Sequence, residues 1–201
     1  MKNNNYKKSI EIINNSNFTV KGLKTFIGRE GHGVNANLYY KGKKVAFLLD
    51  SGNGGELDID WDMNHNDDYP YFPKQVVEAK KHLETLIKSL PKTLWKELGK
   101  QYVNIDTLGE YTWNNESVCN ALIETQLKIK DYNKWLRNVV VFNKETKKIE
   151  HYKAKAKDLN SDKYFMVNGV KWGFRNYFAH RGVVLNDICK SKAYDYFNQY
   201  K

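Results

Sequence analysis

Cysteine, proline and long apolar runs are scarce in this chain of 201 residues. The two cysteines, Cys119 and Cys189, have no metal-ligand spacing and cannot build a disulfide framework, so a reducing compartment and two buried thiols are expected. No apolar run reaches the roughly 18 residues of a membrane span, and the N-terminal stretch MKNNNYKKS lacks the apolar core of a signal peptide. These absences favour a cytoplasmic protein that binds no membrane.

Positive charge is in excess, with a formal net charge of +10, but it is unevenly placed along the chain. Residues 1–70 hold nine basic and nine acidic side chains, whereas residues 138–201 hold 13 basic and 6 acidic ones. Between Lys44 and Lys74 there are seven acids and no other Lys or Arg. This distribution predicts an acidic patch from the first third and a basic surface from the last.

Hydrophobic periodicity predicts strands first and helices next. The runs FTVKGLKTF, NANLYY, KVAFLLD and ELDIDW, separated by glycine-rich turns, indicate an antiparallel β-meander. After Pro73 the apolar residues recur at helical spacing until Pro91. A second helix is expected from about Glu116 to Arg137, with capping side chains in NNES, and a short helix in KTLWKELGK ending at Gly99.

The C-terminal third returns to strand patterns. NVVVF and KIEHYKAKA predict a β-hairpin, and KYFMV a further strand. A basic aromatic helix is expected in KWGFRNYFAHRG and a last helix in DICKSKAYDYFNQY. The fold class predicted is therefore α+β, with an N-terminal antiparallel β-meander, central helices and a C-terminal hairpin with a basic aromatic helix.

The predicted segments are a flexible lead-in, a β-meander, and a helical insertion with a C-terminal α/β part. They cover residues 1–17, 18–72 and 73–201 respectively. No internal repeat and no long linker interrupts the chain, so one compact domain is expected. The single candidate boundary lies near residues 70–73, at PYFP.

The stretch KGLKTFIGREGHGVNANLYYKGKKVA resembles the opening of a family of small proteins from phages and bacterial mobile elements. Members of that family begin with K-G-x-K-x-F-x-G-x-E-G-x-G-x-N-A-x-L-Y-x-x-G-K-K-V-A, and VNGVKWGFRNYFAHRGVVLND is similar to the family's end. The family has no settled activity, so the resemblance implies an accessory role in a mobile element, in the host cytoplasm where a phage encodes the protein.

The stretch GELDIDWD alternates apolar and acidic residues. In a strand this period of two places the acids together on one face; they are Glu56, Asp58, Asp60 and Asp62. One interpretation is a solvated edge strand, on which charge discourages sheet-to-sheet aggregation. Another is a binding surface for a basic partner.

A metal site is the third interpretation of the same acids. Neighbouring acids on one strand face lie about 6.5–7 Å apart. A magnesium or manganese site would therefore need one of them to flex, or Asp50 or His65 to join. With His32 or His180 as general base, such a site would make a metal-dependent nuclease or phosphodiesterase, which is the alternative to a binding function.

The loop GREGHGVN is a candidate phosphate-binding loop, because glycines expose backbone N–H groups. Its candidate residues are Arg29, Gly31, His32 and Gly33. It contains neither the G-K-[ST] of a P-loop nor a following helix pattern. The alternative is a wide hairpin turn in which the glycines adopt positive φ.

Basic and aromatic residues alternate near the C-terminus, which suits RNA or single-stranded DNA. The predicted nucleic-acid-binding residues are Lys153, Lys155, Lys157, Lys171, Trp172, Arg175, Tyr177 and Arg181. The alternative is a helix whose aromatic residues belong to the core and whose cations form its wet side.

Together these patterns favour a binding protein over an enzyme, although they leave enzymatic activity open. The expected partner is nucleic acid or a host nucleoprotein complex, and inhibition of a host nuclease defence, as by an anti-CRISPR protein, would fit both charged surfaces. No cofactor is expected. The sequence predicts no oligomeric state.

Overall fold

The structure is a computed structural model that describes residues 4–63, 71–98 and 109–200. Its helices and antiparallel sheets confirm the α+β class. The chain forms two compact units, Met1–Gln126 and Leu127–Lys201, each described by itself below. One compact domain had been expected, with a candidate boundary near residues 70–73. The division between the two units falls instead within a helix.

The elements of the first unit are α1 (Asn5–Asn14), β1 (Phe18–Ile27), β2 (His32–Tyr40), β3 (Lys43–Asp50), β4 (Asp58–Trp61), α2 (Lys74–Ser89), β5 (Thr93–Leu94) and β6 (Glu110–Tyr111). Helix α3 (Asn115–Trp135) passes from the first unit into the second. The second unit continues with β7 (Asn138–Asn143), β8 (Lys148–Lys155), β9 (Tyr164–Val167), β10 (Val170–Gly173), α4 (Phe174–Arg181), β11 (Gly182–Val184) and α5 (Lys190–Tyr200).

Strands β1 to β4 form the predicted meander, an antiparallel sheet in the order β1-β2-β3-β4. Along its strands, buried and more exposed residues alternate, because only one face of the sheet is covered. The residues that cover this face include the buried stripe of α2. On β2 the buried apolar residues are Val34, Ala36, Leu38 and Tyr40. The Tyr40 hydroxyl donates to Glu78 Oε1 at 3.3 Å, which joins the sheet to α2.

Residues 5–14 form helix α1, so the expectation of a flexible lead-in was wrong there. The side chain of Asn4 caps the helix by accepting a hydrogen bond from the Lys7 N–H at 2.9 Å. Ile13 is fully buried and Ser9 is buried with it. Burial of one apolar face therefore outweighs the low helix propensity of the asparagines around it.

The two central helices lie where the periodicity predicts them, and α2 ends before Pro91. Asn114 and Ser117 cap α3 reciprocally: the Asn114 side chain accepts from the Ser117 N–H at 2.7 Å, and the Ser117 hydroxyl accepts from the Asn114 N–H at 2.8 Å. The short helix expected in KTLWKELGK is instead β5 followed by one 3-10 turn, Trp95–Glu97. Its expected end, Gly99, lies outside the described residues.

The second unit contains a three-stranded sheet in the order β11-β7-β8, with the predicted hairpin as β7 and β8. Apolar residues cover both faces of β7, and for this reason its sequence VVVF does not alternate. On one face Val140 and Phe142 pack with Phe197 of α5. On the other face Val139 and Val141 pack with Phe178 of α4.

The basic aromatic segment is not one helix. Val170–Gly173 is strand β10, paired with β9 across a turn in which Asn168 and Gly169 have φ of 50° and 77°. Helix α4 begins only at Phe174. Trp172 therefore lies on a hairpin, and the predicted helix is shorter than expected.

Candidate nucleic-acid interface

An open cleft of about 660 Å³ lies in the second unit. One wall is formed by the end of β8 and the 3-10 turn Ala156–Asn160, and the other by β9 and α4. Its aromatic lining residues are Tyr152, Phe165, Phe174, Tyr177 and Phe178. Its charged lining residues are Lys153, Lys155, Lys157, Asp158 and Lys163.

The floor of the cleft is a cluster of packed rings around Phe165. The Phe165 ring stacks on Phe174 at a centroid distance of 5.0 Å and lies 4.4 Å from the ring of Tyr177. Phe174 and Phe178 are buried, whereas Phe165 and Tyr177 are half-buried and keep ring surface toward the cleft. The core of this unit thus fixes the orientation of two accessible rings.

The rim of the cleft is cationic because β8 is an edge strand with an alternating pattern. Tyr152 and Ala154 turn toward the core, so Lys153 and Lys155 point outward. Lys157 follows on the 3-10 turn and is exposed as well. Among the described residues these three lysines take part in no ion pair.

One carboxylate lies among these lysines. Lys163 Nζ is 2.8 Å from Asp158 Oδ2, and this hydrogen bond holds the pKa of Asp158 below its usual value. The charges of Lys157 and Lys155 lower that pKa further. Four lysines and one aspartate leave the lining with a formal charge of +3.

The structure brings four of the eight predicted nucleic-acid-binding residues together at the cleft: Lys153, Lys155, Lys157 and Tyr177. The others are not among its lining residues. Lys171 Nζ lies 4.1 Å from the Tyr164 ring centroid, and the Trp172 ring lies beside His180.

The two predicted arginines are bound by side chains of their own unit. Arg175 forms an ion pair with Asp187 at 2.8 Å and also donates to Asn160. Arg181 donates to the Tyr177 hydroxyl at 2.8 Å, and its guanidinium lies over the rings of Tyr152 and Tyr177. Both arginines are therefore held by contacts within the unit, whereas the three lysines of the rim form no ion pair among the described residues.

Sequence reasoning missed Lys163 and Phe165, which complete the rim and the floor. Both lie in KYFMV, a stretch that the pattern identified only as a strand. Their contribution depends on where β9 is placed beside α4, and no spacing within the sequence signals that position.

Part of the acidic stretch forms β4, the edge strand of the meander, and exposure alternates along it as predicted. Only Asp58 and Asp60 belong to this strand, so the expectation that all four acids share one strand was wrong for Glu56 and Asp62. Leu57 is buried, while Glu56, Asp58 and Asp60 are exposed. Asp62 forms an ion pair with Lys44 at 2.9 Å, so it differs from the other three acids.

A metal site at these acids finds no support in the described part of the chain. Among residues 4–63, 71–98 and 109–200, no group of three His, Cys, Asp or Glu side chains could hold a metal ion. His65, which was expected to join the acids, lies outside the described residues. His180, the candidate general base, belongs to α4 in the other unit.

The glycine loop is the β1–β2 hairpin turn, and three of its N–H groups already have acceptors. Gly28 N–H donates to Gly31 O at 2.7 Å, and Glu30 N–H donates to Gly52 O at 2.8 Å. Arg29 N–H donates to Asn53 Oδ1 at 3.0 Å. These bonds remove three of the donors on which a phosphate site at this loop would depend.

Close packing, not phosphate binding, explains why position 33 is a glycine. A β-carbon there would overlap the Phe26 ring and lie 2.7 Å from Asp50 O. At Gly31 a β-carbon would meet nothing within 4 Å. His32 is exposed at the start of β2.

The two cysteines differ in environment. Cys119 is buried as predicted, and burial raises the pKa of its thiol to about 12. Cys189 is exposed, so the expectation of a second buried thiol was wrong. It lies between the 3-10 turn Leu185–Asp187 and α5, where the chain runs along the surface.

The fold and the site define an α+β protein whose second unit carries a cationic cleft with an aromatic floor. No protein-family model, curated protein or solved structure gave a significant match to the chain. The resemblance to a mobile-element family and the cytoplasmic location therefore stay predictions. In the part of the chain that the structure describes, no helix has both the length and the apolar character needed to cross a membrane.

Proposed function

We propose that this protein binds single-stranded nucleic acid, RNA or DNA, in the cleft of its second unit. The observation that carries the proposal is that Lys153, Lys155 and Lys157, without ion pairs among the described residues, line the same cleft as the half-buried rings of Phe165 and Tyr177. Lys153 and Lys155, two residues apart on β8, are separated by about 6.6 Å along the strand, a spacing that can follow an extended phosphate backbone, and Lys157 adds a third positive charge on the turn that follows. The rings of the cleft offer faces on which bases stack.

A single strand fits the cleft better than a duplex does. Stacking on an aromatic ring requires a base whose face is free, and paired bases in a helix already stack on their neighbours. The rim has lysines but no aligned set of bidentate side chains for reading base edges in a groove. Binding should therefore depend on salt and tolerate many sequences.

The test is binding of a labelled single-stranded oligonucleotide, as RNA and as DNA, measured by fluorescence anisotropy over a range of salt concentrations. In the variant Lys153→Ala/Lys155→Ala/Lys157→Ala, the slope of log affinity against log salt should fall by up to about two units, since each phosphate contact on a single strand contributes about 0.7. The variant Phe165→Leu should lose about tenfold in affinity through lost stacking and keep the wild-type slope.

The matched control is Lys144→Ala/Lys190→Ala/Lys192→Ala, which removes the same charge from exposed positions outside the cleft of the same unit. We expect this control to bind almost as wild type does. An equal loss of slope in both triple variants would show unspecific attraction to a basic surface and contradict the proposal. Absence of binding at low salt would contradict it as well.

A host nucleoprotein with an exposed single strand would present the same ligand. Inhibition of a host nuclease defence is thus the wider function that we propose, and the same variants test it. The cleft triple variant should lose inhibition in proportion to its loss of nucleic-acid binding. Full inhibition by a variant that no longer binds nucleic acid would contradict this wider function while leaving the measured binding intact.

A further inference from the structure

The outer face of the meander, opposite the face that packs on α2, carries both signs of charge at opposite edges. Backbone pairing aligns four residues in a row across the sheet: Lys21, Asn37, Phe47 and Asp60. A second row is aligned in the same way: Lys24, Asn35, Leu49 and Asp58. Each row runs from a lysine on β1, across a half-buried apolar residue on β3, to an aspartate on β4.

A bulge in β1 creates this arrangement. Lys21 and Lys24 are three residues apart, so in a regular strand they would point to opposite faces. The register shifts between them, where Gly22 has φ of 65°. The extra residue places both exposed lysines on the outer face, each in line with an exposed aspartate of β4.

We propose that this outer face binds a second copy of this chain. A two-fold axis parallel to the strands would place β1 of each copy over β4 of the other. Each row of residues would then lie opposite the same row of the second copy, in reverse order. Lys21 would then meet Asp60 of the second copy, and Lys24 would meet Asp58. Phe47 and Leu49 lie between these pairs and lose water on association.

A second copy fits the face better than a partner of one charge does. A uniformly basic protein would pair with the aspartates of β4 but would oppose the lysines of β1, and an acidic protein would do the reverse. The chain itself carries the complementary pattern in the matching register. This proposal uses only the first unit and does not rest on nucleic-acid binding.

The expected dimer is weak. Four strands with their usual spacing and length present roughly 500 Å² for each copy. The total of about 1,000 Å² is at the lower limit for a specific interface, so we expect weak association, with a dissociation constant in the micromolar range. Because exposed ion pairs contribute to it, association should weaken as salt is added.

Sedimentation equilibrium of the full chain at low salt, over a range of concentrations, tests the proposal. Wild type should form a dimer in the micromolar range. Asp58→Lys/Asp60→Lys makes both edges basic and Lys21→Asp/Lys24→Asp makes both edges acidic, so each double variant alone should associate more than tenfold more weakly. An equimolar mixture of the two should recover a species of twice the chain mass, because every charged contact is again between opposite signs.

The control Lys81→Asp/Glu84→Lys exchanges charges at exposed positions of α2 and should dimerise as wild type does. Thermal melting should show that all variants are folded, since every changed side chain is exposed. Three results would overturn the proposal: a monomeric wild type at every concentration up to about 0.5 mM, undiminished dimerisation of the double variants, or a mixture that stays monomeric. The mixture decides the matter even where one double variant alone is poorly behaved.

Discussion

The two larger sheets of this protein differ in how many of their faces are covered. The meander of the first unit buries one face, and its strands alternate between apolar and polar residues. The sheet around β7 is covered on both faces, and its central strand is continuously apolar. The difference decides where charge can lie, since a buried and unpaired charge is strongly destabilising.

In the meander, charges of both signs lie on the open face and form aligned rows. In the second unit the covered faces exclude charge, so the lysines lie on the edge strand β8 and on the turn that follows it. There they surround a cleft instead of covering a flat surface. One basic chain thus carries two unlike surfaces, of which the first suits a self-complementary partner and the second a polyanion.

The largest expected effect tests the number of covered faces directly. Leu48 is fully buried and Leu49 is half-buried on the outer face, although they are neighbours on β3. Leu48→Asp should therefore cost more than about 3 kcal/mol in unfolding free energy, and Leu49→Asp within about 1 kcal/mol. On β7, Val140→Asp and Val141→Asp should both cost more than about 3 kcal/mol.

Urea unfolding followed by circular dichroism measures all four variants. The two substitutions on β3 should differ in their effect on unfolding free energy, whereas the two on β7 should not. Each pair of neighbouring positions is therefore the control for the other pair. A mild effect of either β7 substitution would show that one face of that strand is open to water. Equal damage from the two β3 substitutions would show that the outer face of the meander is covered.

A smaller effect is expected in the glycine loop of the meander. Gly33→Ala should destabilise the first unit by about 1–3 kcal/mol, because the added β-carbon overlaps the Phe26 ring and approaches Asp50 O. Gly31→Ala, two residues earlier, has free space and should change stability by less than about 0.5 kcal/mol. Thermal unfolding of both variants checks this, and a tolerated alanine at position 33 would contradict close packing as the reason for that glycine.

The smallest effect concerns the single acid of the cleft lining. Asp158→Asn removes a negative charge beside Lys155, Lys157 and Lys163, so single-stranded oligonucleotides should bind roughly two- to fivefold more tightly at low salt. Asp162→Asn removes the same charge from an exposed position that does not line the cleft and should change affinity less. Anisotropy titrations of the two variants compare them, and identical effects would argue against binding in the cleft.

Much of the fold follows from local pattern. Strand patterns and turn residues predicted the strands of the meander, NVVVF and KIEHYKAKA predicted a hairpin, and NNES predicted the start of α3, where Asn114 and Ser117 cap the helix. These signals succeed because period, capping and turn chemistry act over a few neighbouring residues. The alternation of acids along β4 is of the same kind.

Other features were wrong or absent in the prediction because distant residues decide them. Helix α1 forms within an asparagine-rich stretch because Ile13 finds a buried site. The basic aromatic segment divides at Gly173 because β10 pairs with β9. Arg175 resembles a phosphate ligand in the sequence, but Asp187 and Asn160 bind it in the fold.

The sequence by itself determined the α+β class, the excess of basic residues in the last third and the alternation that places Asp58 and Asp60 on one face of β4, since composition and short periods are properties of the chain alone. Only the tertiary structure decided which charges are free and which side chains share a site. The bulge at Gly22 places Lys21 and Lys24 on one face, and the position of β9 beside α4 joins Phe165 to the lysines of β8. Both depend on pairing and packing between separate segments, which no local pattern encodes.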